Sequence, residues 1–360
     1  MKKLFIILFI VQFASCGDKN DNPKPTIEGE TFIAEEIYKF NEIKEGNFIT
    51  QFEFDKNNVL WVATFNSGVL RVENNAVTKF NVANSNIGSD TITDLFIDPN
   101  NQVWIATNKG FSLFEKGKWR KYDTSNTPLF ENFISEIGVN HSGDILIGNG
   151  RAGTGGMLLY SNGSWQTFTP DNSSLPGSYI NGIDISSKGD FWVGTGMFQG
   201  KGGLAKVSNG AIEQIHDATA SGLLYNAVDV LELTEKDDVW LGYSVRYLDK
   251  MGYPDGGIQK LNPGTGQILS WFPYDTKQIS NRILSMKLSR DGDLWFSSVS
   301  DDVPNSLHGL GVLNKDGSFD ILSAVNYDIA ANIFIPWITS DKNGSIFIAN
   351  ENMILKVTRK

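Results

Sequence analysis

"NNVLWVATFNSGVLRVENNAVTKFN", Asn57–Asn81, sets Trp61 in an apolar run, places Gly68 seven residues later and closes on a lysine–aromatic strand. Nearly the same phrase returns as "NQVWIATNKGFSLFEKGKWRKYD" at Asn101–Asp123. Aligning the chain on Trp61 brings out the equivalents Trp104, Leu146, Trp192, Trp240, Trp295 and Phe347. Twelve residues before each stands an aliphatic: Ile49, Ile92, Ile134, Ile180, Val228, Ile283 and Ile335. Nine before each stands a second apolar residue: Phe52, Leu95, Ile137, Ile183, Leu231, Met286 and Ile338. A repeat of about 40–50 residues holding several short strands predicts an all-β propeller, because each unit alone cannot bury both faces.

Each of the seven units reads as four strands, a to d. Strand a begins at the aliphatic, strand b carries the tryptophan, strand c begins near a glycine, and strand d is outermost. Between a and b lie polar turns such as "DPNN", "SKGD" and "RDGD". Asp, Asn and Gly tolerate the backbone angles of tight hairpins, so these are read as turns. No EF-hand spacing with a terminal glutamate follows, which argues against calcium loops. The tryptophans are read as packing between blades. Two residues before each aliphatic stand Asn47, Asp90, Asn132, Ser178, Asn226 and Asn281, with Ile333 the exception. That repetition predicts turn or blade-to-blade hydrogen bonds.

The seventh unit ends on "MILKVTRK", a strand c with no strand d after it. The N-terminal "EIYKFNEI" matches "AVTKFNV", setting Ile37 with Val77, Lys39 with Lys79 and Phe40 with Phe80. The N-terminal strand is therefore expected to supply the outer strand of the last blade and close the ring, leaving no open edge at the seam.

The first residues, "MKKLFIILFIVQFASC", combine two lysines, a short apolar run and small residues before Cys16. The run is too short to span a bilayer and reads as an export leader. "FASC" resembles the lipobox of bacterial lipoproteins, which implies cleavage before Cys16 and acylation of its thiol. Cys16 is the only cysteine, so no intramolecular disulfide forms. Residues 1–15 are read as a lipoprotein signal peptide, 16–34 as a flexible tether and 35–360 as the propeller. The tether's Asp18-Lys19-Asn20-Asp21 resembles the stretch after the cysteine in surface-exported lipoproteins of the Bacteroidetes. An outer-membrane lipoprotein is expected, held to the membrane through its lipid alone. The net charge of −10 disfavours nucleic acid.

The units are similar to the two-component regulator propeller repeat, with "ITDLFIDPNNQVWIATNKGFSLF" the nearest copy and "INGIDISSKGDFWVGTG" and "ILSMKLSRDGDLWFSS" further ones. The resemblance covers about residues 36–360. It implies the propeller fold and a ligand-binding face. In that family such propellers often form the periplasmic sensor of hybrid histidine kinases. This sequence carries no kinase or DNA-binding segment, so phosphotransfer is not implied.

In propellers the b–c and d–a loops share one face. Blades three to six have extended b–c loops: "GNGRAGTGG", "GTGMFQGKGG", "GYSVRYLDKMGYPDGG" and "SSVSDDVPNSLHG". Long loops on one side of a ring wall an asymmetric pocket. Arg151, Phe198, Arg246, Tyr247, Tyr253 and His308 are the candidate ligand-binding residues, since aromatics beside charged groups can stack on and hydrogen-bond a polar ligand. Asp255 lies in the same loops.

The expected role is a monomeric binding module for a small polar ligand, such as a glycan or peptide, or for a protein partner, with no required cofactor. One alternative is a hydrolase or lyase using His308 with Asp301 or Asp302 as an acid–base pair. Another is a scaffold subunit of an outer-membrane assembly. Asp301-Asp302 also leaves a divalent cation open. No metal site is assigned, because three histidines spread over both faces and an outer strand do not make a zinc centre. "GNGRAGTGG" lacks the lysine–serine ending and the helix of a nucleotide cradle.

Overall fold

The structure is a computed structural model. It describes residues 32–151, 153–196, 201–243, 257–273, 282–299, 309–323 and 337–359. Every regular element among them is a β-strand, and the strands form seven four-stranded antiparallel sheets. In blade one, strands a to d are Ile49–Phe54, Leu60–Thr64, Val69–Glu73 and Ala76–Phe80. Neighbouring a strands touch all the way round, including the first against the last, so the blades form a ring with strand a on its inside.

Local chemistry sets the turns. Strand a is followed directly by Asp55, Asp98, Asn140, Ser186, Thr234, Ser289 or Asp341. In each blade this side chain accepts the backbone N–H of the residue four positions on, at 2.8–3.1 Å. Three positions on, the chain takes positive φ at Asn58, Asn101, Gly143, Gly189, Asp237, Gly292 and Gly344. Asn, Asp and Gly bear that conformation at least cost, which explains the polar a–b turns. Their side chains serve the turn. The c–d turns Asn74-Asn75, Lys116-Gly117, Asn162-Gly163 and Asn209-Gly210 have positive φ at both residues, the type I′ geometry that matches strand twist.

The seams between blades form the core. The residue two after the tryptophan position is always small: Ala63, Ala106, Gly148, Gly194, Gly242, Ser297 or Ala349. A Cβ on Gly148 would come within 2.7 Å of Ile180, and one on Gly242 within 2.8 Å of Ile283. The repeated aliphatic of one blade thus seats on the small residue of the blade before it. Beside it lies the tryptophan. Trp61 meets Phe114 edge-on at 5.0 Å and Trp119 at 6.2 Å, both in blade two. A cation from the rim covers several of these rings: Arg71 over Trp61, Lys260 over Trp240 and Arg359 over Trp295, at 5.6–5.8 Å.

A bulge follows the aliphatic in strand a of blades one to four and six. The extra residue reaches the next blade. Thr50 donates to the Ile92 carbonyl at 3.3 Å, Thr93 to that of Ile134 at 2.7 Å, and Asn181 to that of Val228 at 3.0 Å. Bulges re-aim a side chain in this way without ending the strand.

Blade seven is assembled from both ends of the chain. Its a, b and c strands are Ile338–Ser340, Ile346–Asn350 and Met353–Arg359, and its outer strand is Phe32–Lys39. That strand begins within the 16–34 segment. The register differs from the sequence match. Tyr38 faces Ile354 as Phe80 faces Val69, so the alignment of Phe40 with Phe80 is displaced by two residues. A bulge at Ile37 takes up part of the offset, and Phe40 lies beyond the strand, fully buried against blade one.

Candidate functional site

The b–c and d–a loops share one face, as expected. Of the predicted ligand-binding residues, Arg151 falls within the described residues. Phe198, Arg246, Tyr247, Tyr253, Asp255, Asp301, Asp302 and His308 lie outside them, as does Cys16.

Around Arg151 the face is built by blade three. In blades one, two and four, strand b carries a buried threonine at or next to its end. Thr64, Thr107 and Thr195 each turn the hydroxyl onto a carbonyl of their own b–c hairpin, at 2.7, 2.7 and 3.1 Å. Blade three has Asn149 there, also buried. Its amide reaches outward to the incoming d–a loop. The oxygen accepts the Phe130 N–H at 2.7 Å, and Nδ2 donates to the carbonyls of Glu131 and Phe133 at 2.7 and 2.9 Å. One buried side chain thereby fixes a four-residue arc at the mouth of the ring.

The arc presents three chemistries. Phe130 is 40% exposed. The Phe133 ring carries the Arg151 guanidinium 5.3 Å above its centroid. Arg151 also lies 4.0 Å from the Glu131 carboxylate, a loose and exposed pairing of little energetic weight that leaves both groups available. Across the seam to blade four, the Gly153 N–H donates to the Ser178 hydroxyl at 2.8 Å, and Asn181 Nδ2 donates to the Gly196 carbonyl at 2.6 Å. On the far side of the mouth Phe48 and Phe65 stack at 5.2 Å. Phe48, Phe133 and Tyr179 all stand just before the strand-a aliphatic, a position the sequence alignment passes over.

The residues two before that aliphatic serve the loops. Asp90, Asn132 and Asn226 accept the N–H eight residues upstream, from Val82, Thr124 and Ala218, at 2.7–2.9 Å. They anchor the d–a loops, which is the turn role their repetition predicts.

The inside of the ring holds a second, unforeseen constellation. Strand a turns Gln51, Glu53, Asp94, Glu136, Asp184 and Glu232 towards neighbouring a strands. Gln51 clips both backbone groups of Leu95, at 2.7 and 2.9 Å. Asp94 accepts Ile137 N–H, Asp184 accepts Leu233 N–H and Glu232 accepts Leu288 N–H, at 2.8–3.0 Å. Ser285 accepts Ile338 N–H at 3.1 Å. Thr339 donates to Glu53 at 2.7 Å and closes the circle. Among the described residues, side chains on the inside of the ring thus stitch blade to blade at six of the seven seams. Glu136 instead turns back to Asp94.

Burial pushes Asp94 and Asp184 up to about 6. It also raises Glu53, and it raises Glu136 well above the ordinary range, with Asp94 adding repulsion. Lys287 is held charged chiefly by Glu232, whose carboxylate lies 3.1 Å away. The partners are structural, and the constellation is read as a cohesive inner girdle. The signal for it was in the sequence: charged residues at alternate positions of an otherwise apolar strand.

His141 is exposed in an a–b turn on the opposite face. His216 is buried on an outer strand beside Trp192, with Nδ1 3.2 Å from the Ser221 hydroxyl. Among the described residues no three His, Cys, Asp or Glu side chains gather as a metal site.

Comparison with known proteins agrees with this architecture. Residues 86–109 match the family described as two component regulator propeller. No curated protein matches the chain. Among solved structures, the extracellular domain of a hybrid two-component system protein from B. thetaiotaomicron is similar, with TM-score 0.67 at 16% identity over 91% of this chain and 42% of that one. Virginiamycin B lyase from Staphylococcus aureus, solved with quinupristin, gives 0.67 at 16% identity over 92% and 100%. PorZ, a surface component of the type-IX secretion system of Porphyromonas gingivalis, gives 0.54 at 12% over 82% and 44%. The chain spans about two fifths of the length of the two-component structures it matches. At these identities the likeness is one of fold: a seven-bladed propeller carrying a repeat of the two-component regulator type.

Proposed function

We propose that this protein is an extracytoplasmic propeller, anchored through a lipid on Cys16, that captures a polar ligand on its b–c and d–a loop face without turning it over. The observation that carries this reading is the Asn149 clamp. It spends a buried amide on holding Phe130, Glu131 and Phe133 in place, and it leaves an exposed aromatic, a stacked guanidinium and a carboxylate at the ring mouth. Pre-ordered aromatic and charged groups bind at low entropic cost. A glycan or a peptide fits that chemistry, and Phe198, Arg246, Tyr247, Tyr253 and His308, which the sequence sets in the extended b–c loops, are proposed as further contacts. The extracellular setting of the similar two-component propellers supports an extracytoplasmic location.

The test is a thermal-shift screen of the full chain, in a detergent without a sugar headgroup, against oligosaccharides and peptides. A ligand for this face raises the melting temperature, and the rise is lost in Arg151→Ala, Arg246→Ala and Tyr247→Ala. A ligand whose shift survives all three substitutions places binding elsewhere. Product formation that stops in His308→Ala would replace capture by catalysis.

A further inference from the structure

The seam between blades three and four differs from the others in three ways. Leu146 fills the position that tryptophan or phenylalanine fills in every other blade, and it faces Leu159 where other blades pair the ring with a rim cation in several cases. Ser135, the bulge residue equivalent to Thr50 and Thr93, has a buried hydroxyl with no partner. Glu136 turns back to blade two, so no stitch of the Asp94 type crosses this seam. On the face of the a–b and c–d turns this seam opens into a cleft of about 480 Å³. That volume is in the range of small-molecule sites, about 300–1,000 Å³.

We infer that this cleft is a second binding site, distinct from the loop face, and that its ligand is a short neutral saccharide. Its two flanks carry the same tripeptide, Ser161-Asn162-Gly163 from blade three and Ser208-Asn209-Gly210 from blade four, each in a type I′ turn. Amides and hydroxyls that both donate and accept suit a polyol, whose every group does the same. Gln166 extends its exposed amide across the gap, its oxygen within 3.1 Å of a Cβ position on Gly210. Leu159, Phe191 and Val207 lie beneath this polar lining, almost wholly buried.

Charge argues for neutrality. Lys206 lies 2.8 Å from Asp190, whose charge Lys188 also offsets, and Asp144 adds one further carboxylate that accepts from Asn140. The frame is already fixed. Asn140 donates to the Gly189 carbonyl at 2.9 Å and to Asp144 at 3.1 Å, tying the two a–b turns together. Binding therefore costs little reorganisation.

The experiment is calorimetric titration of the full chain, in the same sugar-free detergent, with maltose, cellobiose and diacetylchitobiose, and with glucuronate and glucosamine as charged controls. At least one neutral disaccharide is expected to bind with Kd of about 1 mM or tighter, ahead of both controls. Gln166→Ala and Lys188→Ala, both surface changes, weaken that binding about fivefold or more, and Arg151→Ala leaves it unchanged. The inference is overturned if none of the three disaccharides binds, or if a charged control binds more tightly. It is equally overturned if Arg151→Ala removes binding while Gln166→Ala and Lys188→Ala do not, a result that favours the loop face alone.

Discussion

Lys287 of blade six sets its ammonium 3.1 Å from the Glu232 carboxylate of blade five, and it is the cation that answers Glu53 and Asp184 as well. Removing it leaves three carboxylates facing one another inside the ring. Lys287→Met is expected to cost on the order of 2 kcal/mol, below the full penalty of a buried broken pair because the lysine is 33% exposed. Adding Glu232→Leu should recover part of the loss. Urea titrations of the single and double variants check this, and an additive result would show that the pair is uncoupled.

The girdle also makes stability depend on pH. Folding raises Asp94 and Asp184 from the usual 3.8 to about 6, so the folded chain holds their protons more tightly than the unfolded one. Their contribution is complete below pH ~4 and disappears as pH rises through 6. Each is worth on the order of 3 kcal/mol. Asp123, held low by Lys121 and Ser125, works in the opposite sense and weakens the fold on further acidification. Stability should therefore peak near pH ~4 and decline as pH rises through 6. In Asp94→Asn the decline towards pH 7 should be shallower, and denaturation midpoints taken at half-unit steps would reveal an unchanged slope if the assignment is wrong.

Ring closure yields a third expectation. The strand Phe32–Lys39 covers the edge of Met353–Arg359, and Phe40 fills the seam to blade one. A chain starting at Asn41 exposes that edge and empties the Phe40 site. Losing a buried phenylalanine alone costs about 3–5 kcal/mol, and an open edge invites pairing between molecules. Size-exclusion chromatography should show oligomers and calorimetry a lower Tm. A monodisperse product of unchanged Tm would falsify the interlock.

The repeat could be read from sequence because each of its marks has a packing cause repeated at every seam. The aliphatic seats on a small residue, the tryptophan fills the gap, and the turn residue must accept an N–H and permit positive φ. Breaks in the repeat carried different information. Leu146 for tryptophan, Asn149 for threonine and Glu136 turned backward all belong to blade three, and alignment on the common pattern treats such differences as noise. Their meaning depends on partners about 15–45 residues away, such as Phe130 and Asp94, which only the closed ring brings together. The register of Phe32–Lys39 was illegible for a similar reason, since the bulge at Ile37 has no mark in the sequence.

Asn149 offers the sharpest test of how the loop face is held. Its amide makes three bonds to the Phe130–Phe133 arc, whereas the threonines of blades one, two and four bond their own hairpins. Asn149→Thr should adopt the hairpin bond and release the arc. The global cost stays on the order of 1–3 kcal/mol, because the lost partners lie near the surface and water can replace them. Locally the change is larger. The Phe130 amide should exchange with solvent at least about tenfold faster, and a ligand of the loop face should bind more weakly through the ordering it then requires. Hydrogen exchange resolved at Phe130 decides the matter: protection equal to the parent chain would mean that the arc is held by something other than Asn149.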